Sequence, residues 1–95
     1  MQSVGKRFVY VLRSQPDPTR HYVGVTSNVD ERLYWHNNGP DGRMRMNRPW
    51  TVLVTLEFAD ESTALRFERY LKSGSGRAFA KRHFGPTPCV PPIGA

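Results

Sequence analysis

The stretch YVGVTSNVDERLYWHN, Tyr22 to Asn37, changes character halfway along its length. Its first residues are aromatic and β-branched, the composition of a strand. Beyond Ser27 the pattern turns helical. Asn28 can cap a first turn, and Glu31 three residues later completes a capping box. Asp30 and Glu31 suit the positive end of the helix dipole, and Gly39 with Pro40 supplies a stop. Gly24 is expected to let the chain turn tightly between strand and helix. At about 100° per residue, Val29 and Leu33 mark the apolar stripe of this helix, with His36 between them in angle and Arg32 just to one side. Arg32 and His36 are one turn apart and can converge on one spot. A rim arginine and a half-buried histidine packed on tryptophan would give the same pattern.

Upstream, RFVYVLRS (Arg7 to Ser14) is a run of β-branched and aromatic residues that reads as a strand buried on both faces. The turn QPDPTR joins it to HYVGV, so the two strands should pair as an antiparallel hairpin. Downstream, NNGPDGRMRMNRP (Asn37 to Pro49) reads as a mobile loop rich in glycine and arginine. WTVLVTLEF (Trp50 to Phe58) is a third strand. DESTALRFERYLKSG is a helix capped by Asp60 or Ser62 and stopped near Gly74, and SGRAFAKRHF is a last short helix. The order β-β-α-β-α-α gives a small three-stranded sheet with helices packed against it, an α/β (α+β) fold. Residues 1–84 form one domain, and 85–95 a Pro/Gly-rich tail expected to be extended or disordered.

Ninety-five residues suit a single domain with a modest core. No apolar run is long enough to span a membrane, and MQSVGKRFVY lacks the apolar stretch of a secretory leader. Cys89 is the only cysteine, which excludes an internal disulfide and a cysteine-built metal site, and favours a reducing, cytoplasmic compartment. The net charge of +6 is carried mainly by arginine, whose planar fork suits phosphate. Charge alone leaves a polyanionic partner and a merely soluble basic surface equally open.

On the second long helix Ala64, Phe67 and Leu71 form the apolar stripe, with Ser62, Arg66, Arg69 and Ser73 opposite. Glu68 sits beside the stripe rather than among the arginines. A carboxylate there is costly unless it is paired or bound to a cation, and Lys72 at i+4 is the available ion-pair partner. Tyr10 and Tyr22 lie on adjacent strands, and their hydroxyls need partners if buried. Trp35 and Trp50 are expected to pack within the fold, with stacking on unpaired bases as the alternative.

FVY ending at Tyr10, YVG starting at Tyr22, Arg32, His36 and a helical Glu68 together resemble the GIY-YIG nuclease family. The segments RPWTVLVTLEF and ESTALRFERYLKSGSGRAFAKRHF look like its small single-domain, excinuclease-subunit-C-like members. The likeness runs from about Arg7 to Phe84. It implies three antiparallel strands flanked by helices, and hydrolysis of DNA phosphodiesters with Mg²⁺ or Mn²⁺. By the same resemblance Tyr10 and Tyr22 are the tyrosines of the two motifs, one of them a general base toward water. Arg32 steadies the scissile phosphate, His36 assists proton transfer or phosphate contact, and Glu68 binds the metal. FVY lacks the namesake glycine, and Ala80 stands in a region where some relatives carry an asparagine near the metal.

These residue types suit the chemistry. Attack on a phosphodiester builds charge on the non-bridging oxygens, which a guanidinium meets with two parallel hydrogen bonds. A hard divalent cation can meet charge on the departing oxygen while one carboxylate and waters complete its shell. A tyrosine, with a pKa near ~10, works as a base only where nearby cations lower that value, and Arg32 is expected to help do so. Arg43, Arg45, Arg48, Lys72, Arg77, Lys81 and Arg82 would form a phosphate-contacting rim. So small a domain has little surface for sequence readout, so branched or single-stranded DNA, or a protein partner for targeting, is expected to direct it. A non-catalytic nucleic-acid-binding module and an RNA-processing nuclease are the alternatives.

Overall fold

The central strand of the sheet is the segment whose apolar run has no alternation. A computed structural model describes residues 5–40 and 42–85, with the side chains of Arg43 and Met44 outside that description. Strand β1 (Arg7–Ser14) lies between β2 (His21–Thr26) and β3 (Trp50–Phe58), both antiparallel to it. Both faces of β1 are covered, so Val9, Tyr10, Val11 and Leu12 are all buried. The expected hairpin forms, with the Ser14 N–H donating to the Arg20 carbonyl at the turn. The tail beyond Gly85, with Cys89, lies outside the described residues.

Side chains alternate along β1 and build two cores. Val9 and Val11 pack with Ala64 and Leu71 of helix α3 (Glu61–Leu71). Tyr10 and Leu12 pack on the other face with Trp50, Tyr22, and Val29 and Leu33 of helix α1 (Val29–Asn38). The first core is enlarged by Phe67, Phe79 and Phe84, the last two from helix α4 (Gly74–Phe84). Gly76 permits the close approach of α4 to α3, since a Cβ there would run into the Tyr70 carbonyl.

Local signals place the helix ends. The Asn28 side chain accepts from the Glu31 N–H at 3.0 Å. The reciprocal half of the expected capping box is replaced: the Asn28 N–H donates to Thr26 Oγ1 at 3.1 Å instead of to Glu31. Asp60 caps α3 through the Thr63 N–H at 2.8 Å, and Ser73 caps α4 through the Gly76 N–H at 3.1 Å. Gly24 departs from its expected role. It lies within β2, buried and extended, and turns nothing. The segment expected to be only a loop holds a four-residue helix, α2 (Gly42–Arg45), packed against α1. One helical turn is too short to leave an apolar period in the sequence.

Two side chains fasten the end of α1 to the start of β3. The Asn37 amide bonds the Trp50 backbone twice, accepting from its N–H at 2.6 Å and donating to its carbonyl at 3.0 Å. The Arg48 guanidinium donates to the carbonyls of His36, at 2.7 Å, and Gly39. Together they fix the helical turn that carries His36. Replacing Asn37 with alanine removes both bonds from a half-buried peptide unit, and about 1–3 kcal/mol of stability is expected to go with them. A thermal melt of Asn37→Ala against the parent checks this; an unchanged midpoint would contradict it.

Candidate active site

Tyr10, Tyr22, Arg32 and His36 meet on the face of the sheet covered by α1. Tyr10 is 1% exposed, and its hydroxyl lies 3.1 Å from His36 Nε2. Either the phenol donates to a bare Nε2 or Nε2–H donates to the phenol oxygen, so one proton can be shared between them. The Tyr22 ring stands 4.6 Å from the imidazole and 6.1 Å from Tyr10, centroid to centroid. Arg32 is exposed, and its guanidinium lies close enough to the Tyr10 hydroxyl to act on its proton. The i,i+4 spacing on α1 thus brings the two polar side chains onto one phenol.

Gly24 is what makes room for that phenol. It pairs with Tyr10 across the hairpin, and the Tyr10 ring lies directly over it. A Cβ at position 24 would stand 2.6 Å from the Tyr10 hydroxyl oxygen and 2.8 Å from Cζ. The sequence could have revealed this partner only through the hairpin register, which a side-chain pattern does not contain.

Arg32 acts on Tyr10 in the expected direction, but burial outweighs it. Burial raises the Tyr10 pKa, the Arg32 guanidinium pulls it part of the way back, and the nearby Tyr22 adds to the rise. The net result is a pKa above the ordinary value of about 10, not below it. At neutral pH Tyr10 is therefore a phenol. In turn, the phenol holds the Arg32 proton more firmly.

A pH dependence follows. Unfolding returns Tyr10 to its ordinary value, so above about pH 10 the unfolded chain loses this proton first. Its stabilising effect is fully present below about pH 10, and stability is expected to fall as pH climbs from there toward the raised folded value. Phenolate absorbance should show a late ionisation in the folded protein that disappears in denaturant and in Tyr10→Phe. A Tyr10→Phe titration identical to that of the parent would contradict it.

Glu68 comes from a different layer of the fold. It lies on α3, over the other face of the sheet, with its side chain 17% exposed and its Oε2 2.8 Å from Lys72 Nζ. The expected sheet-side position and the expected ion pair are thus both present. α3 packs against β2 as well as β1 and β3, and β2 carries Tyr22. Among the described residues no group of three or more His, Cys, Asp and Glu side chains converges.

The basic residues divide by use. Arg48 is engaged with the end of α1 and Lys72 with Glu68. Arg45, Arg77, Lys81 and Arg82 are exposed, the last three on α4. The Arg43 side chain lies outside the described residues. Trp50 is buried as expected, whereas Trp35 is 52% exposed, contrary to its expected packing within the fold. No helix of the described residues is long and apolar enough to cross a membrane.

A family model described as the GIY-YIG catalytic domain matches residues 6–82. The chain is 37% identical over 82 residues to the structure-specific endonuclease subunit SLX1 of Candida dubliniensis. That match covers 79% of this chain and 27% of the relative. Against the same-named protein of Debaryomyces hansenii it is 38% identical over 71 residues, spanning 20% of that relative's length. A UPF0213 protein of Lactiplantibacillus plantarum is 35% identical over 82 residues, with 83% of this chain and 79% of the relative covered. The solution NMR structure of the UPF0213 protein BH0048 from Bacillus halodurans matches at a TM-score of 0.50 and 25% identity. There 85% of this chain and 88% of the other are covered.

Proposed function

The chain belongs to the GIY-YIG family, and on that premise we propose that it is an endonuclease hydrolysing phosphodiester bonds of DNA with a divalent cation. One observation carries the reading: Tyr10, Tyr22, Arg32 and His36, from two strands and a helix, meet at a single spot. Arg32 is exposed beside that spot and offers its fork to the non-bridging oxygens of a phosphate.

A phenol with a raised pKa is a poor free base, so the proton is relayed. As water attacks phosphorus, its proton passes to the Tyr10 oxygen while the Tyr10 proton passes to His36 Nε2, 3.1 Å away. Tyr10 ends neutral and His36 ends as an imidazolium, with no free phenolate required. The Tyr22 ring packed on the imidazole holds it in line.

Glu68 would hold the cation. A half-buried carboxylate supported by waters and substrate oxygens is a donor set that suits Mg²⁺ or Mn²⁺. When bound, the cation would stabilise the charge that builds on the departing oxygen. Lys72 holds Glu68 Oε2 at 2.8 Å, so the cation would take Oε1 or displace Lys72.

The relatives called SLX1 are named as structure-specific endonuclease subunits. We extend that substrate class to this chain: flaps, branches or nicks met in DNA repair, with a partner protein available for targeting. Purified protein with Mg²⁺ or Mn²⁺ is expected to nick branched DNA or plasmid, and a chelator to stop it. Failure to cut any DNA form would sink the reading, and equal cutting of RNA would redirect it to RNA processing. The pairing of Glu68 with Lys72 favours a second reading as a non-cutting DNA-binding module. That reading predicts salt-sensitive affinity without turnover.

A further inference from the structure

Helix α1 leaves two large aromatic side chains in the open, side by side. Tyr34 is 57% and Trp35 52% exposed, and their rings meet edge to face at 5.3 Å. The indole lies beside the capping glycine, where a Cβ on Gly39 would come within 3.4 Å of Trp35 Cε3. The Trp35 carbonyl also accepts the Gly39 N–H at 2.7 Å, which fixes the turn beneath the ring. Arg32 is three residues earlier, so it and Trp35 are neighbours on the helix surface. Two exposed aromatic rings packed side by side form a patch of the kind that marks an interaction site.

We infer that Trp35, with Tyr34 against its edge, is a stacking platform for an unpaired base of the nucleic-acid strand whose phosphate Arg32 engages. The assignment of that phosphate rests on the nuclease reading above. The net charge of +6 favours a polyanion over an apolar protein partner. Within a continuous duplex every base is already stacked on its neighbours. A flap, gap or single strand offers a free π face, and stacking accepts any base. The platform therefore turns a fold with little sequence readout into one that prefers interrupted DNA.

Intrinsic fluorescence without added metal tests this. The chain has two tryptophans, and Trp50 is 4% exposed, so Trp50→Phe leaves Trp35 as the sole reporter. If Trp50→Phe fails to fold, the difference between parent and Trp35→Ala gives the same signal. Single-stranded and flapped oligonucleotides are expected to quench Trp35 strongly, and a blunt duplex of equal length much less. Trp35→Ala should weaken binding of the flapped oligonucleotide about 5- to 150-fold while changing duplex affinity little.

Equal binding of the flapped oligonucleotide by Trp35→Ala and parent would overturn the inference. So would a Trp35→Ala variant that alters only self-association. The two readings fail separately. Quenching with no cleavage under Mg²⁺ or Mn²⁺ would leave the platform standing and remove the nuclease. Cleavage with an unchanged flap preference in Trp35→Ala would do the reverse.

Discussion

Replacing Arg32 with alanine is expected to slow single-turnover cleavage about 10²–10³-fold, the loss seen when a donor aimed at developing negative charge is removed. The fold should survive, because Arg32 is exposed and contributes to neither core. Two effects combine. The phosphate loses its fork, and Tyr10 loses the guanidinium that partly offsets its burial. Tyr10 should then ionise at still higher pH than in the parent. Arg32→Lys restores charge without the planar fork and is expected to recover only part of the rate. Rates on a flapped oligonucleotide, together with a thermal melt, decide the matter. Unchanged cleavage by Arg32→Ala would remove Arg32 from the reaction.

Gly24→Ala should damage both stability and activity. The added methyl group would sit 2.6 Å from the Tyr10 hydroxyl oxygen and 3.0 Å from Cε1. The ring is fully buried and bonded to His36, so it has no open direction in which to swing. Overpacking of this kind costs about 1–3 kcal/mol. A shift of about an ångström in the phenol is expected to reduce cleavage about 10²-fold. The double variant Gly24→Ala with Tyr10→Phe removes the closest clash and should regain part of the stability but none of the activity. If Gly24→Ala melts and cleaves like the parent, the proposed seat for Tyr10 is wrong.

The legible parts of this fold are those encoded locally. Three strands, the long helices and the caps Asn28 and Asp60 follow from composition, period and side chains that bond within three residues, whereas Ser73, read as part of a polar face, caps α4. The order β-β-α-β-α-α, with the one-turn α2 added inside the expected loop, describes the chain. The features that escaped depend on partners distant in sequence. Gly24 is explained by Tyr10 across a strand pair. Asn37 and Arg48 are explained by the docking of α1 on β3. The rise in the Tyr10 pKa comes from burial, which outweighs the nearby arginine, and depth of burial is a property of the assembled layers. Spacing alone put Arg32 one turn from His36, but their meeting on Tyr10 needed the helix laid over the sheet. Trp35 looked like core because an aromatic beside an apolar stripe usually is.

The most direct test of the proposed activity is cleavage of branched DNA by the parent and by Glu68→Ala, side by side, with Mg²⁺ and with Mn²⁺. Nicking by the parent that is lost in Glu68→Ala, while both proteins melt alike, is the predicted result. Equal cleavage by the two, or none by either, would contradict it.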